Sequence, residues 1–487
     1  MGRSSKAAPS QAALVACLSY AALIGSVVAG LGSPIVPEVA KDRGVSIESA
    51  QWTLTITLLI GVVGTPVLSR LADGHLRRWV LIGALAAVGA GGLVGAAVPT
   101  FPGLLAGRAL QGFGYAMVPL TVSIARQYLV GVKLHRTLAV LSTSIAVGVG
   151  LGNPVMGLCV LFFDYRAAFL FAMVVSFVGA VWVWWCVPAG SRASTTIRVD
   201  VPGAILLGVG LGASLLAVAR GQTWGWTSVQ VVGLGVLGLV TLAAWVLVEL
   251  HHRAPLVDLR LACARGVLGV NLAAVLLGVA VFGGAAVMVL LIQRPTTHGL
   301  GLGYSVFVNG LLMLPMSIAT LLSPPVARAL ARWTGVRSVL PVGSLAVAAA
   351  FGTFAVAHRV TWHIVVSMAL LGVGIGVAYS VMPALIVART PDGRTASATG
   401  INQVLRLMGG SVGAAAVASV LAGHIPAGEL NPDETGYVLG AALATGAAVL
   451  AAVVGYVLVT ATPKDGHGEV PGSVAELERA ESGAAPA

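Results

Sequence analysis

Arg108, Gln111 and Tyr115 stand at i, i+3 and i+7 inside the apolar run Leu104–Pro119, so on a helix they share one face. An arginine within a membrane helix costs about 2.5–3.5 kcal/mol on insertion scales unless it finds polar partners or reaches the surface. A guanidinium, an amide and a phenol pointing one way suit a polar or anionic group. Arg108 lies close to the predicted end of its helix, so snorkelling to the surface competes with that reading. Arg406 is the second arginine inside an apolar run. Asp73, followed by Arg77 and Arg78, sets an acid before a basic turn, a pairing able to latch two packed bodies; simple anchoring by the arginines competes with it. Gly148, Gly152, Asn153, Pro154 and Gly157 fill a further run. There glycine permits close helix approach and proline bends the chain and frees a carbonyl, as ordinary membrane packing also requires. No paired carboxylates, nucleophile–base set, metal-ligand spacing or Walker loop accompanies these groups, so neither an enzyme nor a cofactor is expected. Cys17, Cys159, Cys186 and Cys263 read as small packing residues.

The elements that must position these side chains follow from the composition. Of 487 residues, 57% are hydrophobic and 9% charged, against about a quarter charged in soluble domains. Apolar runs fall at 11–33, 50–69, 79–98, 103–129, 137–162, 167–188, 202–220, 229–250, 267–293, 304–327, 338–357, 362–388, 398–422 and 436–461. A helix of about 20 apolar residues crosses a bilayer core. The chain therefore reads as an all-α polytopic membrane protein of fourteen spans. The first run is long and followed at once by another span, so no cleaved signal peptide is expected.

The net charge of +11 reports topology, since its Lys and Arg are scattered through short loops with no basic patch for nucleic acid. With the N-terminus inside, 20 of the 28 basic residues fall on one side and 6 on the other, leaving Arg108 and Arg406 within spans. Both termini are expected to be cytoplasmic. Residues 1–10 form a short cytoplasmic lead, and the Gly-, Ala- and Glu-rich tail 462–487 is expected to be disordered. A weak repeat relates Ser69–Arg78 to Ala327–Arg337, and Gly112–Pro119 to Gly372–Pro383. Its offset of eight spans predicts two six-helix bundles, 11–188 and 266–461, with a linker at 189–265 that carries two extra helices. Duplicated halves around a central path are a transporter architecture.

Several of these segments resemble signatures of the major facilitator superfamily. Leu71-Ala72-Asp73 with Arg77-Arg78 resembles its loop signature, with Ser69 and Leu76 standing where the pattern has glycines. Arg108, Gln111, Gly112, Gly114 and Pro119 match R-x-x-Q-G-x-G-x-x-x-x-P in full. Gly148–Gly157 is similar to the antiporter signature of drug exporters, with Asn153 and Leu158 replacing two of its glycines. Gln51-Trp52, Asp164–Phe169, Gly221–Trp226, Pro255–Arg260 and Arg406–Gly413 resemble the fourteen-helix drug:proton antiporters, and the likeness runs over about 12–460. It implies a major facilitator fold and an exporter that alternates access between bundles in exchange for protons. Asp73, Arg77 and Arg78 would form the conformational latch. Arg108, Gln111, Tyr115 and Arg406 would line the substrate and proton pathway, and Gly148, Gly152, Asn153, Pro154 and Gly157 would form the helix bend.

One departure bears on mechanism. The family usually carries an acid in span one, and the corresponding position here is Val28. All acids lie in loops, tails or span ends, the nearest being Glu48, Asp164 and Glu249, and no histidine lies at mid-depth. Proton relays in pumps are normally embedded Asp, Glu or His. A cavity with two arginines, no acid, and soft groups such as Tyr20, Met117, Phe282 and Tyr379 suits a neutral or anionic amphipathic molecule. With 24 Arg to 4 Lys and 63 Gly, the chain carries the bias of a GC-rich bacterial genome, and a multi-pass place in the bacterial cytoplasmic membrane is expected. The expected partners are a drug-like small molecule, protons and the lipid bilayer, with no nucleic acid, and the chain is expected to be monomeric. A metabolite uptake symporter or facilitator of the same fold is the alternative, ahead of a membrane-embedded enzyme.

Overall fold

A computed structural model describes residues 11–31, 35–72, 76–188, 200–252, 255–264, 266–296, 300–387, 389–390, 395–426, 429 and 431–460. Their secondary structure is helical throughout. The first half comprises α1 (Gln11–Gly30), α2 (Val36–Arg43), α3 (Ile47–Ala72), α4 (Arg77–Ala97), α5 (Phe101–Gln111), a 3-10 segment (Gly112–Ala116), α6 (Met117–Tyr128), α7 (Gly131–Phe162) and α8 (Tyr165–Cys186). Between the halves lie α9 (Val201–Trp224), α10 (Val229–His251) and the single turn α11 (Leu259–Ala262). The second half comprises α12 (Leu268–Gln293), α13 (Val306–Leu312), α14 (Leu314–Thr334), α15 (Val336–Val356), α16 (Thr361–Val387), α17 (Thr395–Ala422) and α18 (Glu434–Thr460).

Among the described residues, 12 helices are long and apolar enough to cross a membrane. In hydrocarbon every backbone polar group needs an internal partner, which is why the apolar runs form helices. Their starts are capped where the sequence supplies an acceptor. Thr100 accepts from Gly103 N at 3.3 Å, and Asp200 Oδ1 from Gly203 N at 2.8 Å. The apolar run 103–129 folds as α5, the 3-10 segment and α6 in succession, and 137–162 falls within α7; neither is among the 12.

Three boundaries differ from the sequence reading. The first run ends at Gly30, and the short helix α2 occupies what the apolar pattern reads as loop, with a proline in its first turn. The tenth run continues to Thr334, so Arg328 and Arg332 ride on exposed turns of α14. Basic side chains in a last turn complement the helix dipole. The fourth run breaks to 3-10 geometry at Gly112, a residue with little helical preference that is pressed against α3. A Cβ there would stand 2.6 Å from Thr57 O.

The halves meet along two seams. Helix α3 packs on α17, and α7 packs on α13 and α14. The inserted pair α9 and α10 pack on each other, and α9 also touches both α3 and α17. Two close helix crossings position Arg108 and Arg406. At α4 and α5, a Cβ on Gly91 would lie 2.5 Å from Gly107 O, and one on Gly107 would lie 2.6 Å from Gly91 O. That backbone-to-backbone contact sets Arg108 one residue further on. At α12 and α17, Gly278 abuts the carbonyl of Arg406, and Gly409 abuts that of Val275. Only glycine permits such approaches.

Candidate functional site

Arg108 is fully buried, at 0% exposure. That places its guanidinium in the protein interior and removes snorkelling as its explanation. Its Nε donates to Thr53 O on α3 at 3.1 Å, and its Nη1 donates to Gln111 Oε1 at 2.7 Å. Thr57 closes the contact by donating to Arg108 O at 3.1 Å. The i, i+3 spacing brings Arg108 and Gln111 together as expected. Thr53 comes from another helix and leaves no signal in the spacing. Arg108 Nη2 and Gln111 Nε2 are buried and make no hydrogen bond among the described residues.

Arg406 lies over the ring of Tyr379, with the guanidinium carbon 4.2 Å from the centroid, and it donates to Gln403 one turn earlier on α17. Tyr115 lies within electrostatic reach of both arginines. Arg108, Gln111 and Tyr115 come from the first half, and Arg406 and Tyr379 from the second. Among the described residues no carboxylate pairs with either guanidinium; their interacting groups are Tyr115 and Tyr379. The sequence did carry a signal for Tyr379. In the two related runs, Tyr115 precedes Pro119 by the same four positions that separate Tyr379 from Pro383.

The glycine-rich run of α7 faces two neighbours. A Cβ on Gly148 would stand 2.6 Å from Leu23 O on α1, and one on Gly157 would stand 2.9 Å from Phe307 Cα on α13. Gly152 is buried and Pro154 lies within the helix; the Asn153 side chain is outside the described residues. The run thus packs α7 on its own half at one end and on the other half at the other. A second inter-half contact sets Val36, Gln51 and Leu54 across a crevice from Ala286 and Leu290. Gln51 is buried, and among the described residues neither of its amide atoms finds a hydrogen-bond partner.

At the opposite face, Arg77 Nε donates to Ala72 O at 2.5 Å, tying the basic turn to the end of α3. Arg78 donates to Trp184 O on α8. Asp73, the acid of the expected latch, lies outside the described residues. Arg70 reaches Pro255 O at 2.7 Å, so the segment after α10 is held to the end of α3. Val257 N of that segment also donates to Glu249 Oε1 at 3.3 Å, beside the bond from Trp245 Nε1 of α10 at 3.0 Å. These contacts give Pro255–Arg260 a structural reason. Asp164–Phe169 has one too. Tyr165 donates to Asp42 at 2.6 Å and accepts from Arg43 at 3.0 Å, fastening α2 to α8. The Tyr165 hydroxyl above all, with Arg43 and Arg166 beside it, holds the Asp42 carboxyl below the usual carboxylate range.

Comparison with known proteins agrees with this architecture. The sequence model of the Major Facilitator Superfamily matches residues 16–414. A puromycin resistance protein of Streptomyces alboniger is 28% identical over 446 residues, covering 87% of this chain and 86% of the relative. A cephamycin export protein of Amycolatopsis lactamdurans is 31% identical over 286 residues, covering 57% of this chain and 58% of the relative. A crystal structure of a peptide transporter in complex with alafosfalin superposes with a TM-score of 0.67 at 15% identity, covering 94% of this chain and 95% of that one.

Proposed function

The chain belongs to the major facilitator superfamily, and from that premise we propose that it exports an amphipathic, antibiotic-like small molecule by alternating access, in exchange for protons. It is a multi-span transporter with bacterial relatives, consistent with the bacterial cytoplasmic membrane. The carrying observation is the pair of arginines, one from each half, gathered with Tyr115 and Tyr379 and opposed by no carboxylate among the described residues. A site shared by both halves is remade each time they rock, which alternating access requires. The relatives named for puromycin resistance and cephamycin export support the outward direction. The cavity chemistry supports a neutral or anionic substrate. We read α5 through α6 and α7 as two further spans, for fourteen in all with both termini cytoplasmic. The bundles are then 11–188 and 266–461, and the transporter acts as a monomer.

The test is expression in a bacterial host stripped of its own exporters, followed by an antibiotic panel and uptake into everted vesicles. Raised resistance to a subset of neutral or anionic amphipathic compounds is expected, with matching uptake. Increased sensitivity would favour the uptake symporter.

The loop at 69–78 is proposed as a latch between the bundles. Arg77 already grips the end of α3 through Ala72 O, and Arg70 grips the linker. Asp73→Asn or Arg77→Ala is expected to slow transport several-fold at unchanged membrane abundance. Rates equal to the parent in both variants would remove the latch role.

A further inference from the structure

The inserted pair α9 and α10 carries the only buried acids among the described residues, Glu249 and Asp200, at 3% and 1% exposure. Asp200 starts α9, where its Oδ1 accepts from Gly203 N at 2.8 Å, and Glu249 stands in the last turn of α10. His252, one turn beyond Glu249, has its Nδ1 3.6 Å from Asp200 Oδ2, so the two carboxyls share one end of the pair. Glu249 is bonded unevenly. Its Oε1 accepts from both Trp245 Nε1 and Val257 N, while its Oε2 is buried with no hydrogen bond among the described residues. The segment 255–257 covers it, with Leu256 and Val257 buried. The charged groups around it are engaged elsewhere. Arg260 donates to Leu250 O at 2.8 Å, Asp258 Oδ1 accepts from Leu261 N at 3.1 Å, and His251 Nδ1 stands 2.7 Å from Leu247 O. Arg70, on the last turn of α3, donates to Pro255 O at 2.7 Å.

We infer that Glu249 is a proton-binding site that governs how the inserted pair grips α3. This goes beyond the export reading, and only its effect on transport rests on that reading. A buried carboxylate with one oxygen unpaired is costly in low dielectric, the more so with a second acid at the same end of the pair. The neutral acid avoids that cost and keeps the bonds that seat the segment, because its carbonyl oxygen still accepts from Trp245 and Val257. Loss of the proton to water leaves a negative charge on an oxygen that only water can solvate. Water reaches it when Leu256 and Val257 lift. Proton uptake and seating are therefore one linked equilibrium, in which seating is favoured at acid pH and lost as the pH rises. Arg70 carries the change onward. When Pro255 O leaves, the end of α3 loses its bond to the linker beside the 69–78 loop proposed as the latch. On the proposed topology this end faces the cytoplasm, so an acid cytoplasm holds α3 and an alkaline one frees it. The proton at Glu249 sets the grip and is not carried across.

Hydrogen–deuterium exchange on the purified full-length chain in lipid nanodiscs reads the segment directly, since the Val257 amide is a donor to Glu249. With the chemical exchange rate corrected for pH, protection at Leu256 and Val257 is expected to fall about tenfold or more between about pH 5.5 and about pH 8.5. The last turn of α3 is expected to lose protection over the same range. Glu249→Gln, a neutral isostere whose amide oxygen keeps both bonds, is expected to stay protected throughout. Infrared difference spectra of the parent need no variant to fold: a carboxylic C=O stretch should vanish in step with the protection. Flat protection in the parent, a fall without a matching carboxyl band, or a fall that persists in Glu249→Gln would overturn the inference. Transport separates the two readings. Raised antibiotic resistance with pH-flat protection leaves the exporter standing and removes the proton site. Protection that follows pH, with no compound transported, leaves the proton site standing and removes the exporter.

Discussion

Arg108→Ala is expected to cut substrate transport by roughly 30-fold or more, since truncating one partner of a buried charge pair costs about 2–5 kcal/mol. The change removes the donor to Thr53 O and the donor to Gln111 Oε1 together with the positive charge. Gln111 Oε1 is left to find a new partner, while Thr53 O keeps its bond from Thr57 Oγ1 at 2.8 Å, so membrane abundance and thermal stability must be measured beside transport. Arg108→Lys separates charge from geometry. A single ammonium keeps the charge but cannot span the Thr53 carbonyl, the Gln111 amide and a ligand as the planar fork does. Partial recovery is therefore expected from lysine and none from Arg108→Gln. An alanine variant with parental transport at parental abundance would show that Arg108 is a structural strut between α5 and α3. Arg108→Cys gives an independent view: aqueous thiol reagents should reach it during turnover, and labelling by lipid-phase reagents alone would place it outside the pathway.

What could be read from the residues, and what could not, divides by range of interaction. The helices follow from apolar runs because the bilayer leaves the backbone no other means of hydrogen bonding. Helix α2 escaped that pattern, being too short and too polar to span and depending on Tyr165 and α8 to hold it. The 3-10 break at Gly112 is equally hidden, since its cause is the carbonyl of Thr57 on another helix. The same rule holds at the site. The Arg108–Gln111 contact is visible as i, i+3, and Arg406 is visible as a charge in an apolar run. The Tyr379 ring beneath Arg406 comes from α16; the sequence shows Tyr379 as a soft aromatic group and as a member of the internal repeat, but not its place under the guanidinium. Gln51 reads in sequence as part of a motif, while its burial beside Ala286 and Leu290 depends on how the two halves meet.

The glycine run of α7 illustrates how a motif can be correct in place and fuller in meaning. As sequence it reads as a bend around Pro154. In the structure Gly148 receives α1 while Gly157 receives α13. One helix therefore joins its own bundle and the opposite one through contacts that tolerate no Cβ.

Uptake of substrate into everted vesicles is expected to respond to both components of the proton-motive force, and a protonophore is expected to collapse it. Val28 is fully buried at the position where the resemblance to drug:proton antiporters leads one to expect an acid. With that carrier gone, three sources of coupling remain: a relay through Arg108, Gln111 and water, a boundary acid such as Glu48, or the charge of the substrate itself. An exported monoanion moves down an inside-negative potential, worth about 2.3 kcal/mol per 100 mV, or roughly 50-fold accumulation. Exchange for one proton would double the charge moved. A potassium diffusion potential, interior positive in everted vesicles and at zero pH gradient, should therefore drive uptake alone. An acid interior should add to it if protons are exchanged. Glu48→Gln assigns the added part: loss of the pH-driven component with the potential-driven component intact would make Glu48 the carrier, and no change would leave the proton to Arg108 and water. A response to potential without any response to pH would replace proton exchange with anion efflux down the potential. If neither gradient alters the rate, the two halves rock without coupling, and the chain is a facilitator.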